Sequence, residues 1–151
     1  MKIMMVCLGN ICRSPLAEGI LRNKINKHGL DWVVQSAGTG SWHLNEAPDP
    51  RSQRIAKKYG IDISKQRAQK FSPYHLEQFD LIFTMDSSNY NDVIYQTKSE
   101  EEKKKIELIM NLVEPGKNIA IPDPYYDEDL YEEVYRMLDK ACDAIINKYK
   151  N

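Results

Sequence analysis

The sequence predicts an α/β fold: a small doubly wound sandwich with a central four-stranded parallel sheet and helices on both faces. Strand-like and helix-like segments alternate along the whole chain of 151 residues. The first strand-like segment is continuously apolar, which is typical of a strand buried on both faces. Three helix starts combine a capping residue with a following proline, at Ser14-Pro15, Asp49-Pro50 and Ser72-Pro73.

The first part of the chain predicts two strands and two helices in alternation. Ser14 and Asp49 are expected to cap the helices, and Gly29 and Gly60 follow their ends. Trp32 to Gln35 carries two β-branched valines and predicts the second strand. In chain order, the predicted elements are strand 2–6, helix 15–28, strand 32–35 and helix 50–59.

The second part of the chain continues the alternation. Ser72-Pro73 begins a short helix, and two apolar runs predict the remaining strands. The charged run 99–105 contains no motif and is expected to be solvated. The last helix places apolar residues at helical spacing, at Val134, Leu138, Ala141 and Ile145. In chain order, these elements are helix 73–78, strand 81–85, helix 87–95, strand 106–110 and helix 130–148.

Length and composition predict a single domain, residues 1–151, that resides in the cytoplasm. The net charge of −1 gives no case for a nucleic-acid or membrane partner. The apolar N-terminal run 3–8 is far shorter than a membrane helix of about 20 residues. The three cysteines, Cys7, Cys12 and Cys142, lack zinc-type spacing, so no metal site is expected. A monomer is expected, with His28, His43 and His75 on its surface.

The loop after the first strand carries the chemistry that the sequence suggests. Cys7 and Arg13 are separated by five residues and precede a helix start, where loop amides and the helix dipole bind anions. Gly9 allows close backbone approach, and an arginine fork can hold two phosphate oxygens. This field favours a thiolate at Cys7, to which Ser14 could donate its hydroxyl or serve only as a cap.

Spacing alone leaves alternatives open. The chain contains neither the Gly-x-x-x-x-Gly-Lys-Ser/Thr loop nor Gly-x-Gly-x-x-Gly, so known nucleotide motifs are not present. The same pair could have a purely structural role, with Cys7 packed in the core and Arg13 in a salt bridge. A general acid could come from any of four carboxylates in one later loop, Asp123, Asp127, Glu128 and Asp129.

The segment Val6–Pro15, Val-Cys-Leu-Gly-Asn-Ile-Cys-Arg-Ser-Pro, resembles the signature loop of the low-molecular-weight protein tyrosine phosphatases. The resemblance extends in order over essentially the whole chain. Its further matches are Ser36–Thr39, Trp42 with Pro48–Arg51, Met85-Asp86 and Asp123–Tyr126.

The resemblance implies that a phosphotyrosine-containing protein is the substrate and that no cofactor or metal is needed. Cys7 would be the nucleophile, Arg13 the phosphate clamp, and Asp123 the general acid and then the base. The implied phosphate-binding loop also contains Leu8, Gly9, Asn10, Ile11, Cys12 and Ser14.

Other residues receive supporting roles from the same resemblance. Trp42, Tyr125 and Tyr126 would form aromatic walls, or would be ordinary half-buried aromatics. Asn10, Ser36 and Asp86 would brace the loop by hydrogen bonds, or would each be a loop cap. Cys12 could trap an oxidised Cys7 as a disulfide or simply pack beneath the loop. Lys65 stands where many relatives carry histidine, which puts one bracing contact in doubt.

Two alternative functions remain to be weighed. An arsenate reductase would use a similar loop but needs further cysteines to relay a disulfide, and only Cys142 lies in the later half. A non-catalytic phosphotyrosine-binding module would be expected to lose either Cys7 or Asp123, and both are present. A redox sensor built on Cys7 and Cys12 would be compatible with catalysis.

Overall fold

The computed structural model describes residues 1–151 as alternating strands and helices. The strands are β1 (Lys2–Cys7), β2 (Val33–Gly38), β3 (Leu81–Thr84) and β4 (Ile106–Leu108). The helices are α1 (Arg13–Lys27), α2 (Pro50–Lys58), α3 (Pro73–Gln78), α4 (Ser87–Tyr95), α5 (Glu100–Lys104) and α6 (Tyr131–Tyr149). Short 3-10 helices lie at Ile109–Leu112, Pro124–Tyr126 and Glu128–Leu130.

The four strands form one parallel sheet in the order β2-β1-β3-β4. The central strand β1 pairs with β2 from Lys2 opposite Val33 to Cys7 opposite Gly38. Its other edge pairs with β3. Because helices cover both faces of this parallel sheet, the predicted doubly wound fold class is confirmed.

Alternate residues of β1 belong to two separate hydrophobic cores. Ile3 and Met5 face the larger core, which α1 and α6 complete, whereas Met4 and Val6 face a smaller core with α3 and α4. All four side chains are fully buried, as the continuous apolar run predicts. The helical spacing predicted for α6 is also confirmed, because its apolar positions are buried at Val134, Leu138, Ala141 and Ile145.

The strand order creates a crevice at the carboxyl ends of β1 and β3. From β1 the chain moves to β2 on one side and then crosses to β3 on the other side. The helix after β1 therefore covers one face of the sheet, and the helix after β3 covers the opposite face. Ligands of open parallel sheets bind at such a switch point.

Two helix starts show how local sequence positions the loops. Asp49 caps α2 as predicted, since its carboxylate accepts a hydrogen bond from the Arg51 amide at 2.8 Å. The prediction for Ser14 is wrong, because α1 begins at Arg13, two residues before the predicted start at Pro15, and Cys12 occupies the capping position. The Ser14 hydroxyl contacts the preceding loop instead.

Three further regions refine the sequence predictions. The charged run 99–105 is solvent-facing as expected, but it also forms α5, capped by the Ser99 hydroxyl that accepts from the Glu102 amide at 3.1 Å. The strand predicted over 106–110 ends at Leu108, where a 3-10 turn follows. His75 is buried rather than on the surface as expected. Its Nδ1 accepts a hydrogen bond from the Ser72 amide at 3.0 Å. None of the helices combines the length and apolar character needed to cross a membrane.

The buried face of α6 generates a stability prediction. Replacing Leu138 with alanine will leave a cavity in the larger core and lower the free energy of unfolding by about 2–5 kcal/mol. The matched variant Lys140→Ala changes an exposed residue two positions later and will alter it by less than about 0.5 kcal/mol. Urea denaturation of both variants measures the difference, and equal effects would contradict the described packing of α6.

Candidate active site

The loop between β1 and α1, residues 8–12, is held by its carbonyl oxygens. Neighbouring segments donate hydrogen bonds to the carbonyl of Cys7 and to three carbonyls of the loop. These bonds are Thr39 N to Cys7 at 2.9 Å, Gly40 N to Leu8 at 2.8 Å, Asp49 N to Ile11 at 2.8 Å and Ser52 Oγ to Cys12 at 3.2 Å. None of the amides of residues 8–12 donates to a protein acceptor. The loop therefore keeps its N–H donors available for an anion.

Gly38 makes the close approach of this loop to β2 possible. A Cβ atom at position 38 would lie 2.8 Å from the Leu8 carbonyl oxygen and 3.1 Å from the Asn10 amide nitrogen. Any side chain here would push the loop away from the end of β2. The sequence motif Ser36–Thr39 thus has a steric basis at its glycine.

Asn10 lies at the centre of a hydrogen-bond network that braces the loop. Its φ of 57° is left-handed, a conformation that asparagine tolerates better than most residues. Its Nδ2 donates to Ser14 Oγ at 2.8 Å and Ser36 Oγ at 2.9 Å, and its Oδ1 accepts from Gln69 N at 2.9 Å. Ser36 in turn donates to Glu18 Oε1 at 2.7 Å. Asn10 and Ser36 are thus in the positions expected of bracing residues.

Glu18 and Gln69 were not identified from the sequence. Glu18 is a buried carboxylate on α1. Its position within an apolar stretch of the sequence is the one signal that could have identified it as a buried residue. Gln69 reaches the loop from 59 residues away, which no local pattern reveals. Lys65, whose bracing contact was in doubt, is exposed. Bracing from this part of the chain comes from Gln69 instead.

The Cys7 sulfur lies at the end of β1, 3.1 Å from the Ser14 hydroxyl oxygen. Because Asn10 Nδ2 donates to that same oxygen, the Ser14 proton is free to point at the sulfur. The start of α1 adds the positive end of a helix dipole. A hydroxyl donor and the positive end of a helix dipole therefore lie beside the Cys7 sulfur.

The Arg13 guanidinium is 3% exposed and is fixed on one nitrogen. Its Nη1 donates to Asp86 Oδ2 at 2.7 Å and to the Ile121 carbonyl at 2.9 Å. Although burial lowers the pKa of Arg13, the negative charges of Cys7 and Asp86 outweigh it, so the pKa is raised. Asp86 therefore anchors the arginine rather than the loop backbone, which refines its expected bracing role.

A pocket of about 340 Å³ opens above this loop. Its lining residues are Cys7, Leu8, Gly9, Ile11, Cys12, Arg13, Trp42, His43, Asp123, Tyr125 and Tyr126. The three expected wall aromatics all line it, and Trp42 and Tyr126 are the most exposed of them, at 70% and 90%. His43, which the sequence analysis placed on the surface, also lines this pocket.

Asp123 is the one member of the four candidate carboxylates that lines the pocket. Its Oδ2 lies 3.7 Å from Arg13 Nη2. Its Oδ1 accepts from the Tyr125 amide at 3.1 Å, which caps the 3-10 turn that begins at Pro124. The Asp123 carboxylate therefore lies at the pocket, and the chain after it forms the 3-10 turn.

Cys12 is buried, and its sulfur lies 3.3 Å from the Tyr131 hydroxyl. Burial is the main cause that raises the pKa of Cys12 to about 12, so it remains a thiol at neutral pH. All three cysteines are free, and Cys142 lies wholly inside the larger core. A disulfide between Cys7 and Cys12 stays a prediction. No cluster of three or more His, Cys, Asp or Glu side chains is arranged to hold a metal ion.

Fold and site together define an α/β protein in which a thiol, a buried guanidinium and loop amides form an anion site at a sheet switch point. The family model "Low molecular weight phosphotyrosine protein phosphatase" matches residues 2–151, and the chain belongs to this family.

Individual relatives agree with the family assignment. A low molecular weight phosphotyrosine protein phosphatase from Schizosaccharomyces pombe is 42% identical over 128 residues, covering 83% of this chain and 81% of the relative. The crystal structure of a protein tyrosine phosphatase from Entamoeba histolytica superposes with a TM-score of 0.92 at 34% identity, covering 99% and 97% of the two chains. A Drosophila arginine phosphatase structure gives 0.92 at 31% identity, covering 100% and 99%.

The different surroundings of the cysteines predict selective alkylation. Iodoacetate at pH 7 will modify Cys7, because the residue lines the pocket and its sulfur lies beside the Ser14 hydroxyl. Cys12 will react at least about tenfold more slowly, since its raised pKa keeps it protonated. Peptide mass spectrometry measures both sites, with inorganic phosphate as a protecting ligand. Comparable labelling of Cys12, or no protection by phosphate, would contradict this description of the site.

Proposed function

We propose that this protein hydrolyses phosphotyrosine in proteins through a phosphocysteine intermediate on Cys7. The observation that carries the proposal is the floor of the pocket, where the Cys7 sulfur, the Arg13 guanidinium and the free loop amides converge. A phosphoryl group carries charge on three oxygens, and stabilisation of that charge is the main task of such a site.

The Arg13 geometry supports its role as a phosphate clamp. Both Nη1 protons are used, one by Asp86 and one by the Ile121 carbonyl. The Nε and Nη2 protons have no hydrogen-bond acceptor in the protein, and this edge of the guanidinium is the planar fork that binds two oxygens side by side. Asp86 thus orients the arginine so that its free fork serves the substrate.

The proposed first step forms the S–P bond and breaks the P–O bond to tyrosine. The Cys7 thiolate attacks phosphorus in line, the amides and Arg13 hold the remaining oxygens, and Asp123 gives its proton to the leaving phenolate. In the second step Asp123 takes a proton from water as the water attacks phosphocysteine. Ser14 donates its hydroxyl to the departing thiolate. The amides and Arg13 supply the positive charge that a cation would otherwise provide.

The walls of the pocket support phosphotyrosine as the substrate. Trp42, Tyr125 and Tyr126 surround an opening whose floor also has the apolar side chains of Leu8 and Ile11. Such walls suit a flat phenyl ring, and a deep floor favours tyrosine over the shorter serine. Because one solved relative is an arginine phosphatase, phosphoarginine belongs among the substrates tested.

The two alternative functions have less support. Cys142 is buried in the core on α6, with its sulfur directed at the Ala17 carbonyl, so it is poorly placed to relay a disulfide from Cys7 as an arsenate reductase requires. A binding module without catalysis would not need a carboxylate on the pocket wall, and Asp123 lies there.

The broader expectations also enter as proposals. Residues 1–151 are proposed to form a single phosphatase domain, supported by the family match over residues 2–151 and by one continuous sheet. We further propose a monomer in the cytoplasm that acts on phosphotyrosine-containing proteins. The three free cysteines are compatible with a reducing compartment.

Turnover of matched peptides tests the proposed function. With chelator present, wild type will hydrolyse a phosphotyrosine peptide in preference to phosphoserine and phosphoarginine peptides. Cys7→Ser will abolish turnover, and Asp123→Ala will lower it by about 10²–10⁴-fold through loss of acid–base catalysis. The matched control Asp129→Ala removes an exposed carboxylate of the same segment and will stay within about twofold of wild type. Full activity in Cys7→Ser would refute the mechanism, and tight peptide binding without turnover would indicate a binding module.

A further inference from the structure

Arg51 lies outside the pocket lining but is rigidly tied to the phosphate-binding loop. Its Nε donates to Asp49 Oδ1 at 3.0 Å and its Nη2 to Asp49 Oδ2 at 2.9 Å. The Asp49 amide in turn donates to the Ile11 carbonyl at 2.8 Å. Because this pairing is bidentate and the carboxylate caps α2, the guanidinium has a fixed position relative to the loop.

The same guanidinium lies over the rings of two tyrosines, Tyr125 in the segment that carries Asp123 and Tyr131 at the start of α6. The guanidinium carbon lies 5.5 Å from the ring centre of Tyr125 and 5.3 Å from that of Tyr131. Tyr125 is joined to Asp123 by its amide, which donates to the Asp123 carboxylate at 3.1 Å. Tyr131 is buried and reaches the loop through Cys12.

The segment between Ile121 and α6 has few other attachments. Its backbone hydrogen bonds are local, from Asp127 to Pro124 and from Leu130 to Asp127. Two charge contacts join it to the rest of the protein, Arg13 with Asp123 at 3.7 Å and the exposed pair of Arg54 and Glu128 at 3.6 Å. Apart from hydrogen bonds at the start of α6, such as that from the Tyr131 amide to the Glu128 carbonyl, no hydrogen bond connects residues 122–130 to a residue outside the segment. The cation–π contact between Arg51 and Tyr125 is therefore one of the few interactions that hold this segment near the loop.

We propose that Arg51 is a positioning residue that holds the general acid Asp123 at the correct distance from the leaving group. The inference rests on the proposed function, because it assigns Arg51 to the proton-transfer step of that mechanism. Arginine suits the role since one planar group can pair with Asp49 through two hydrogen bonds and also lie over the rings of Tyr125 and Tyr131. Lysine would keep the charge but could not reproduce the fork and the flat faces.

Two aryl phosphates separate this role from a general structural one. Phenolate is a basic leaving group that needs a proton, whereas 4-nitrophenolate departs readily without one. In Arg51→Lys, kcat/KM for phenyl phosphate will fall by about tenfold or more, because a small misplacement of the acid is costly. For 4-nitrophenyl phosphate it will fall by less than about threefold. Arg51→Met, which keeps the stem alone, will show the same split between the substrates.

Arg54→Lys is the matched control, one turn further along α2. Arg54 is 72% exposed, and its pairing with Glu128 at 3.6 Å is loose. In Arg54→Lys, kcat/KM for both substrates will therefore stay within about twofold of the wild-type value. Equal losses on the two substrates in Arg51→Lys and Arg51→Met, or no loss in either, would overturn the proposal. Wild-type turnover and its loss in Cys7→Ser test the proposed function separately. Failure of the proposed role of Arg51 is therefore distinguishable from failure of the proposed function.

Discussion

The ion pair between the buried Arg13 and the half-buried Asp86 is the interaction on which the site depends. A guanidinium out of water is costly unless its charge and its protons are satisfied. Asp86 at the end of β3 and the Ile121 carbonyl satisfy one nitrogen at 2.7 and 2.9 Å, and the remaining fork has no hydrogen-bond acceptor in the protein. The pair therefore joins the loop after β1 to two later segments and also orients the group that we propose to bind phosphate. Removing Asp86 would affect both functions at once.

The parallel sheet explains why such distant residues meet. Cys7 ends β1, Ser36 lies near the end of β2, and Asp86 follows β3. Carboxyl ends of parallel strands share one edge of a sheet, so these side chains come together without any local sequence relation. Within that arrangement the loop can curl only because Gly38 leaves room for the Leu8 carbonyl, and because Asn10 accepts a left-handed backbone.

Sequence patterns predicted the elements whose determinants are local. The apolar run of β1, the Asp49 cap of α2 and the spacing on α6 are all properties of adjacent residues, and all three match the structure. Ser14 was misassigned as a cap because its contact with Cys7 and Asn10 depends on the loop conformation, not on the helix start. Spacing could not separate Asp123 from its neighbouring carboxylates, since only the folded chain directs one of them into the pocket. Glu18, Gln69 and Arg51 act through contacts that span the fold, and a single sequence carries no signal for their partners.

Several features of the site lower the stability of the folded protein. Five loop residues keep their amides without protein acceptors, Asn10 holds a strained φ of 57°, and Arg13 is buried beside a thiol. Each feature costs free energy in the folded state, and the two hydrophobic cores on either side of β1 offset it. An oxyanion bound at the loop would satisfy those donors only in the folded protein, so it must stabilise the fold by mass action. In the proposed mechanism, the same preorganised donors that weaken the free protein stabilise the charge of the transferring phosphoryl group, because they need no rearrangement when it arrives.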